Sequence, residues 1–472
     1  MKSDTLEHLH LHLQGQRAAY LREPFPTLAQ RRDRLQRLRR LVAEHGEAFI
    51  EAVSADFGQR SRHETELYEL AVMEATTRHA LKHLREWMQV QRVKTALHFL
   101  PGNNKLMPQP LGVVGVIAPW NYPVLLALAP VVAALAAGNR VMLKPSELTP
   151  RTSQLLARAV AQYFAPDEFT VITGDARVAQ AFASLRFDHL FFTGSTAVGR
   201  QVAQQAAANL TPVTLELGGK SPALVHESAD LLLTAERIAH GKLVNAGQTC
   251  VAPDYVLVPK HMARPLADAI AAAMKRLYPT LEGNDDYSSI VSPRHHARLQ
   301  GMLVEAKAMG AQLIQPHKGQ KLNPASRKLA PTLVLKSRAE MQLRREEIFG
   351  PILPLIPYTE LDEAIEHIQR EERPLALYWF GKKNEDCERV LRETHAGGVT
   401  LNDCIWHLGQ EEQPFGGVGA SGQGSYHGEW GFRTFSKDKP VFDNPPLAAT
   451  RLLYPPYGPV FEGLLAVLKR IA

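Results

Sequence analysis

LGVVGVIAPWNYPVLLALAPVVAALAAG, the stretch Leu111–Gly138, contains no charged residue and is longer than a membrane-spanning helix requires. How it is read decides the fold. Pro119, Pro123, Pro130 and the polar Asn121 interrupt it. Its first part, Gly112–Ala118, has β-strand composition, and its second is rich in Ala and Leu. That composition predicts a strand, a sharp turn and a buried helix, with no transmembrane segment. The C-terminal piece Pro459–Ala472 is apolar at Val460, Phe461, Leu464, Leu465, Val467, Leu468 and Ile471 but too short to cross a bilayer. A docking helix is expected there, with peripheral membrane contact as the alternative.

Outward from Leu111 the same alternation continues. An Arg- and Glu-rich helical region precedes it. Candidate strands at Gly112–Ala118, Arg140–Lys144, Phe169–Thr173 and His189–Thr193 are separated by helical runs such as Pro150–Phe164, the pattern of a parallel sheet with helices on both faces. A second series begins near Thr211 with Ala223–His226, Asp254–Pro259 and Leu333–Leu335, separated by helices such as Ala263–Leu277. Within Ser292–Arg327 a helical stretch is followed by a polar surface excursion, Pro316–Pro324. From Gly397 onward Gly, Pro and aromatic residues predict loops, short strands and an interface-like tail.

With 472 residues, 45% hydrophobic and 22% charged, the chain is long enough for two or three domains and is neither disordered nor of low complexity. Three cysteines, Cys250, Cys387 and Cys404, without a C-x-x-C pair exclude a disulfide scaffold and a structural zinc site, and a reducing, cytoplasmic setting fits them. Met1–Gln16 carries no secretory signal, so the mature chain is expected to start here. The net charge of +6 is concentrated at Arg31, Arg32, Arg34, Arg37, Arg39 and Arg40. Leu35, Leu38 and Leu41 thread that run at helical spacing, so it is read as the solvated face of an amphipathic helix, and no nucleic-acid partner is expected.

Two glycine-rich stretches compete as a dinucleotide site. The literal G-x-G-x-x-G match, Gly417-Gly419-Gly422, follows no strand and opens no helix, so it reads as a tight loop. Phe191-Phe192-Thr193-Gly194-Ser195-Thr196-Ala197-Val198-Gly199 follows a strand and opens a helix expected over Val198–Asn209, where backbone N–H groups and the helix dipole can face a pyrophosphate. Cys250 lies in the small, polar Asn245–Pro253 segment, unlike a packed core. Cys387 sits between Asp386 and Glu388, and Cys404 beside Asp403, where acidic neighbours disfavour a thiolate. Glu216, flanked by apolar residues and two glycines, reads either as a partly buried carboxyl of raised pKa or as a strand-edge carboxylate paired with Lys220. His8, His10 and His12 alternate near the N-terminus without a carboxylate or thiol partner, and no metal is expected.

Taken together, Pro119–Pro123, Lys144–Glu147, Phe192–Gly199, Leu215–Lys220, Gly247–Cys250, Glu346–Pro351 and Pro414–Gly417 occur in the order found in the NAD(P)-dependent aldehyde dehydrogenase superfamily, which the sequence resembles over essentially its whole length. Gln248–Tyr255 and Tyr426-His427-Gly428 resemble the class 3 branch. Phe99–Gly102, Leu143–Arg151 and Ser425–Lys437 resemble the coniferyl aldehyde dehydrogenases within it.

The resemblance implies an α/β fold with a parallel-sheet cofactor domain, an α/β catalytic domain and a small bridging or oligomerisation element. The corresponding ranges are 1–214 with a bridging segment near 90–110, then 215–398, then 399–472 as the return to the cofactor domain with the bridging element and tail. It implies Cys250 as nucleophile, Asn121 as oxyanion donor beside the Cys250 N–H, and Glu216 as the base that activates the hydrolytic water. The presence of Glu216 argues against the branch that passes its acyl group to coenzyme A. The matching cofactor positions are Trp120, Lys144, Glu147, Gly194, Ser195, Gly199, Leu217, Glu347 and Phe349, for NAD with NADP also accepted. Tyr68, His240, Cys404, Trp406 and His407 match positions that shape the substrate pocket. The expected substrate is coniferyl or another aromatic aldehyde, the expected assembly a homodimer. The alternatives are a medium- or long-chain aliphatic aldehyde and, more distantly, a cofactor-free thiol hydrolase or acyltransferase acting through Cys250.

Overall fold

The computed structural model describes residues 3–471 and gathers the alternating segments into three sheets. Leu111–Gly138 becomes the buried strand Val113–Ile117, a turn, and the helix Leu125–Ala136. That helix is buried almost all round because it packs against the helices Leu28–Glu44, Val72–Trp87 and Gly428–Thr434 as well as against its own sheet. Enclosure on every side explains why so long a stretch carries no charge. Among the described residues no helix is long and apolar enough to cross a membrane.

Val113–Ile117 lies inside a six-stranded sheet, ordered Gly422–Gln423, Val213–Glu216, His189–Thr193, Val113–Ile117, Arg140–Lys144, Phe169–Val171. All neighbours are parallel except the first, where Gly422 pairs with Glu216 in an antiparallel edge. A seven-stranded sheet follows in the order Gln312–Ile314, Thr332–Leu335, Ile352–Tyr358, Tyr255–Pro259, Pro222–Val225, Ala376–Phe380, Gly398–Leu401, antiparallel only at its first pair. Strand and helix ends differ from the sequence reading by one or two residues, as fraying termini do. A third, antiparallel sheet joins Gln91–Val93, Asn103–Pro110 and Ser436–Asp443, tying the region near 90–110 to the returning C-terminal segment.

One expectation changes. The arginine run is not uniformly solvated. Arg31 and Arg34 are only 1% and 3% exposed. Arg31 donates to Ala136 O at 3.2 Å and Ala137 O at 2.7 Å, so its cation sits at the C-terminal, negative end of the Leu125–Ala136 helix. Arg34 pairs with Glu23 and Glu168 at 3.1 Å each. Arg32, Arg39 and Arg40 do face solvent. The tail forms a helix, as expected. The helix Pro459–Ile471 rests chiefly on the preceding turn Ala449–Leu453 and leaves Val460 and Val467 exposed; Ala472 lies outside the described residues.

Candidate active site

Cys250 follows a backbone that few sequences tolerate. Asn245, Ala246 and Gly247 have φ of 51°, 51° and 77°, three successive residues in the left-handed region. Such a run persists only where its surroundings over-determine it. Asn245 Nδ2 donates to Asn121 O at 3.0 Å and to Gln248 O at 3.2 Å, and its N–H donates to Glu64 Oε2 at 3.0 Å. Gln248 Nε2 donates to Asn245 O and Ser289 O at 2.9 and 3.0 Å, and the Tyr378 hydroxyl donates to Val251 O. The segment carrying the thiol is therefore held from both sides.

Asn121 is fixed to the same segment. Its Nδ2 donates to Gln248 O at 3.2 Å, which occupies one of the two N–H groups of the amide. Its carbonyl also accepts Arg60 Nη1 at 2.8 Å. Arg60 is paired with Glu69 at 3.1 Å, with both side chains 0% exposed, and lies over the rings of Phe57 and Tyr122. Glu69 Oε2 accepts the N–H groups of Val124 and Leu125 at 2.7 and 3.1 Å, at the start of the helix that follows the turn. One buried ion pair thus anchors the Asn121 turn from both ends. Glu69 belongs to a π-helical stretch, Glu66–Ala71, that also carries Tyr68. Sequence reasoning missed Arg60 and Glu69, because charged residues in a helical N-terminal region read as surface.

Cys250 stands where two cavities meet. The larger, about 270 Å³, is walled by residues that include Trp120, Asn121, Gly194, Ser195, Glu216, Leu217, Glu347 and Phe349. Ser195 caps the helix Thr196–Ala207, accepting the Val198 N–H at 3.4 Å, so helix N-terminal donors follow directly on the turn at the cavity wall. Gly199 is not a wall. A Cβ there would lie 2.6 Å from Leu217 Cδ2, so its role is close packing of helix on strand. Lys144 and Glu147 also lie off the cavity walls, at the C-terminal end of the neighbouring strand, with Lys144 Nζ 3.5 Å from Glu147 Oε2. Burial lowers the Lys144 pKa. Trp120 and Phe349 meet edge to face at 5.4 Å, and Phe349 has φ 53°. His295 and Arg298, on the helix Pro293–Ala308, were missed as walls. Their spacing of three residues after a Ser-Pro helix start was the available signal. Arg298 holds the Glu347 segment by donating to Glu347 O at 3.1 Å.

Glu216 is 3% exposed, and neither carboxyl oxygen has a hydrogen-bond partner. Burial alone pushes its pKa well above the ordinary carboxyl range. The alternative pairing with Lys220 does not form, because Lys220 turns to Asp254 and to the carbonyls of Leu343 and Glu346. Glu347 accepts the Gly219 N–H at 3.1 Å, and burial with the Asp254 charge raises it to about 7. Burial, followed by the Glu347 and Glu216 charges, pushes the Cys250 thiol up to about 12, while the N–H groups of Cys250 and Val251 oppose the rise. The glycines at 417, 419 and 422 form a tight turn closed by a Gly419–Gly422 bridge, as expected of a loop, and brace the strand that ends at Glu216.

The second cavity, about 70 Å³, is apolar, with Tyr68, Tyr122, Leu125, Phe415, Tyr426 and His427 among its walls. Of the pocket residues expected from sequence, Tyr68 lines it directly. His240 accepts or donates at Tyr68 Oη at 3.1 Å, and Trp406 stacks on His240 at 6.2 Å and 11°. Cys404 is buried beneath Gly241, and His407 bonds Thr400 Oγ1 at 2.8 Å while stacking on Phe415, so both support the wall from behind.

A partly exposed thiol sharing a cavity with an amide donor, an unpaired carboxyl and a strand–glycine–helix turn is equipment for oxidising a carbonyl through a covalent intermediate, and the aldehyde dehydrogenase family model matches residues 22–441. The chain belongs to the aldehyde dehydrogenase family. It is an oxidoreductase acting on aldehydes, and the family uses NAD or NADP. Relatives include a "Probable coniferyl aldehyde dehydrogenase" of Pseudomonas aeruginosa, 48% identical over 95% of this chain and 94% of that one. A coniferyl aldehyde dehydrogenase of a Pseudomonas species is 44% identical over 98% and 96%. The substrate-bound structure of an AldH from Staphylococcus aureus superposes with a TM-score of 0.92 at 35% identity, covering 97% of this chain and 99% of that one. This aldehyde dehydrogenase fits its cofactor on its own evidence: the cavity beside Cys250 opens on the Ser195-capped helix and on a carboxyl that no protein group satisfies.

Proposed function

We propose that this aldehyde dehydrogenase oxidises coniferyl or a similar aromatic aldehyde to its acid through Cys250. The observation that carries the reading is the position of Cys250 between a cavity holding Glu216 and Glu347 and one walled by Tyr68, Tyr122, Phe415 and Tyr426, whose rings suit a flat apolar body. The coniferyl-type relatives support the same substrate class.

As thiolate, the Cys250 sulfur adds to the carbonyl carbon, and the former carbonyl oxygen becomes an oxyanion. Asn121 Nδ2 and the Cys250 N–H stabilise that charge, and the Arg60–Glu69 pair keeps Asn121 in reach. When bound, the nicotinamide supplies the acceptor for the hydride that leaves carbon as the thiohemiacetal becomes a thioester. Trp120, Gly194, Ser195, Leu217, Glu347 and Phe349 would hold the dinucleotide from the cavity walls, and Lys144 and Glu147 would bind its adenosine ribose, with Gly199 packing the helix behind. Glu216 then removes a proton from water as that water attacks the thioester carbon. The carbon–sulfur bond breaks, the acid departs, and the thiol is restored.

In the same reading the chain divides into a cofactor unit at 1–214, a catalytic unit at 215–398 and a returning segment at 399–472. It pairs as a homodimer, and it works in the cytoplasm. Exposed Val93 and Phe442 on the three-stranded sheet support pairing through the bridging element. The test is NADH or NADPH formation with coniferyl aldehyde, benzaldehyde, hexanal and decanal, with Cys250→Ala as control. Preference for the aromatic aldehydes is the expected result. Preference for the alkanals would move the substrate class to aliphatic aldehydes, and no reduction by a folded, NAD-binding protein would overturn the mechanism.

A further inference from the structure

The fold creates a histidine cluster away from the active site that the sequence spacing did not single out. His79 and His83 lie four residues apart on the helix Val72–Trp87, so they share one face. Their rings are 4.6 Å apart at 32°. The loop after the turn Trp406–Gly409 brings Glu412 over them: Oε1 is 3.8 Å from His79 Nδ1 and 4.0 Å from His83 Nε2. The three donor atoms all fall within 4.8 Å of one another.

Three features separate this group from an ordinary surface ion pair. His83 Nε2 is buried and has no hydrogen-bond partner, so a lone pair or proton is left unsatisfied facing Glu412. The other nitrogen of that ring, Nδ1, lies 3.6 Å from Glu86 Oε2, just beyond hydrogen-bond range, so a small rotation of this exposed carboxylate would let it orient a metal-bound imidazole. Finally, the imidazoles are held by packing against Trp87, at 5.7 and 6.0 Å, whereas Glu412 is 79% exposed and can move. Tetrahedral zinc with bonds of about 2.0–2.1 Å separates its donors by roughly 3.3 Å; the free carboxylate closes its own 3.8 and 4.0 Å gaps by moving, and the two imidazole nitrogens, which lie within 4.8 Å of each other, close by up to about 1.5 Å through ring rotation.

We propose that His79, His83 and Glu412 form a binding site for a first-row divalent cation, Zn²⁺ or Cu²⁺, with water completing the coordination. Two imidazoles and one carboxylate suit these ions and not Mg²⁺ or Ca²⁺. The site clamps the loop to the helix at a meaningful place. The preceding residue, Glu411, accepts hydrogen bonds from Thr76 Oγ1 and, at 3.1 Å, from the Gly428 N–H. Thr76 is itself a wall of the apolar cavity that reaches Cys250. A cation here therefore ties down the outer support of that cavity without touching the reacting groups.

The test uses the full chain with Cys250→Ala, which removes the accessible thiol as a competing ligand. Zn²⁺ is titrated against a chromophoric chelator, and Cu²⁺ is followed by quenching of Trp87 fluorescence, with Trp87→Phe as control. One ion per chain is expected, with affinity falling at least about tenfold in His79→Ala, His83→Ala and Glu412→Gln. The quenching is expected to vanish with Trp87→Phe. Glu412→Gln is an exposed change that leaves folding untouched, so its result stands even if a histidine variant misfolds. Zinc bound as tightly after removal of both histidines, for instance at His8 and His12, would overturn the proposal. So would the absence of any binding tighter than millimolar.

Discussion

Replacing Arg60 by Met is expected to destabilise this aldehyde dehydrogenase by about 3–5 kcal/mol, the usual cost of leaving one member of a buried ion pair alone. Arg60 and Glu69 are both 0% exposed and 3.1 Å apart. Without the guanidinium, Glu69 retains only the Val124 and Leu125 N–H groups at 2.7 and 3.1 Å, and the Asn121 carbonyl loses its 2.8 Å donor while keeping Asn245 Nδ2 at 3.0 Å. If the Asn121 turn relaxes by about 1 Å, turnover falls on the order of a hundredfold, because the oxyanion donor is then misplaced. The pH dependence follows. Burial already raises the Glu69 pKa, with Arg60 opposing, so removal of Arg60 raises it further. A carboxyl whose folded pKa exceeds its unfolded value of about 4.3 binds more protons when folded. Stability then declines as pH rises from that value through the folded pKa. The variant is expected to lose less at pH 5.5 than at pH 8.

Urea midpoints at both pH values, with initial rates, measure this for Arg60→Met, Glu69→Met and the double variant. The double variant is expected to be less destabilised than the sum of the singles by roughly 1–3 kcal/mol. Additivity within about 0.5 kcal/mol, or Arg60→Met with unchanged stability and kcat/KM, would refute the claim that the pair holds Asn121.

Cys250→Ala is expected to abolish aldehyde oxidation while NAD binding, followed by fluorescence, persists; oxidation that survived would move the nucleophile elsewhere. Because burial raises the Glu216 pKa and only the ionised form accepts a proton, deacylation is expected to speed up as pH rises through that raised pKa. In Glu216→Gln that rise should disappear and a thioester should accumulate in quenched-flow mass spectrometry, and an unchanged pH profile would assign the base to another group. Deleting residues 459–472 removes the exposed apolar face at Val460 and Val467 and is expected to shift sedimentation toward a smaller species. Identical sedimentation and melting would show the tail to be dispensable.

What could be read from the sequence was whatever depends on neighbours along the chain. The strand, turn and helix of Leu111–Gly138 were legible because composition changes at the prolines, and the Thr193–Ser195 turn because strand, glycine and helix follow one another within a few residues. The choice between the two readings of Glu216 was not legible, because it turns on where Lys220 goes, and Asp254, 34 residues away in sequence, decides that. The same holds for Arg31 and Arg34. Their helix reads as solvated until the C-terminus of Leu125–Ala136 and the Glu168 carboxylate arrive over separations of 105 and 134 residues. Arg60 reaching Asn121 and Glu412 reaching His83 are the same kind of event. A charged residue was therefore misread wherever its partner came from a distant segment, and these are the places where the fold, not the local sequence, sets the chemistry. Mutational scans of this enzyme should accordingly find charged positions of large effect concentrated at buried long-range pairs, with exposed i,i+4 pairs such as Arg264–Asp268 close to neutral.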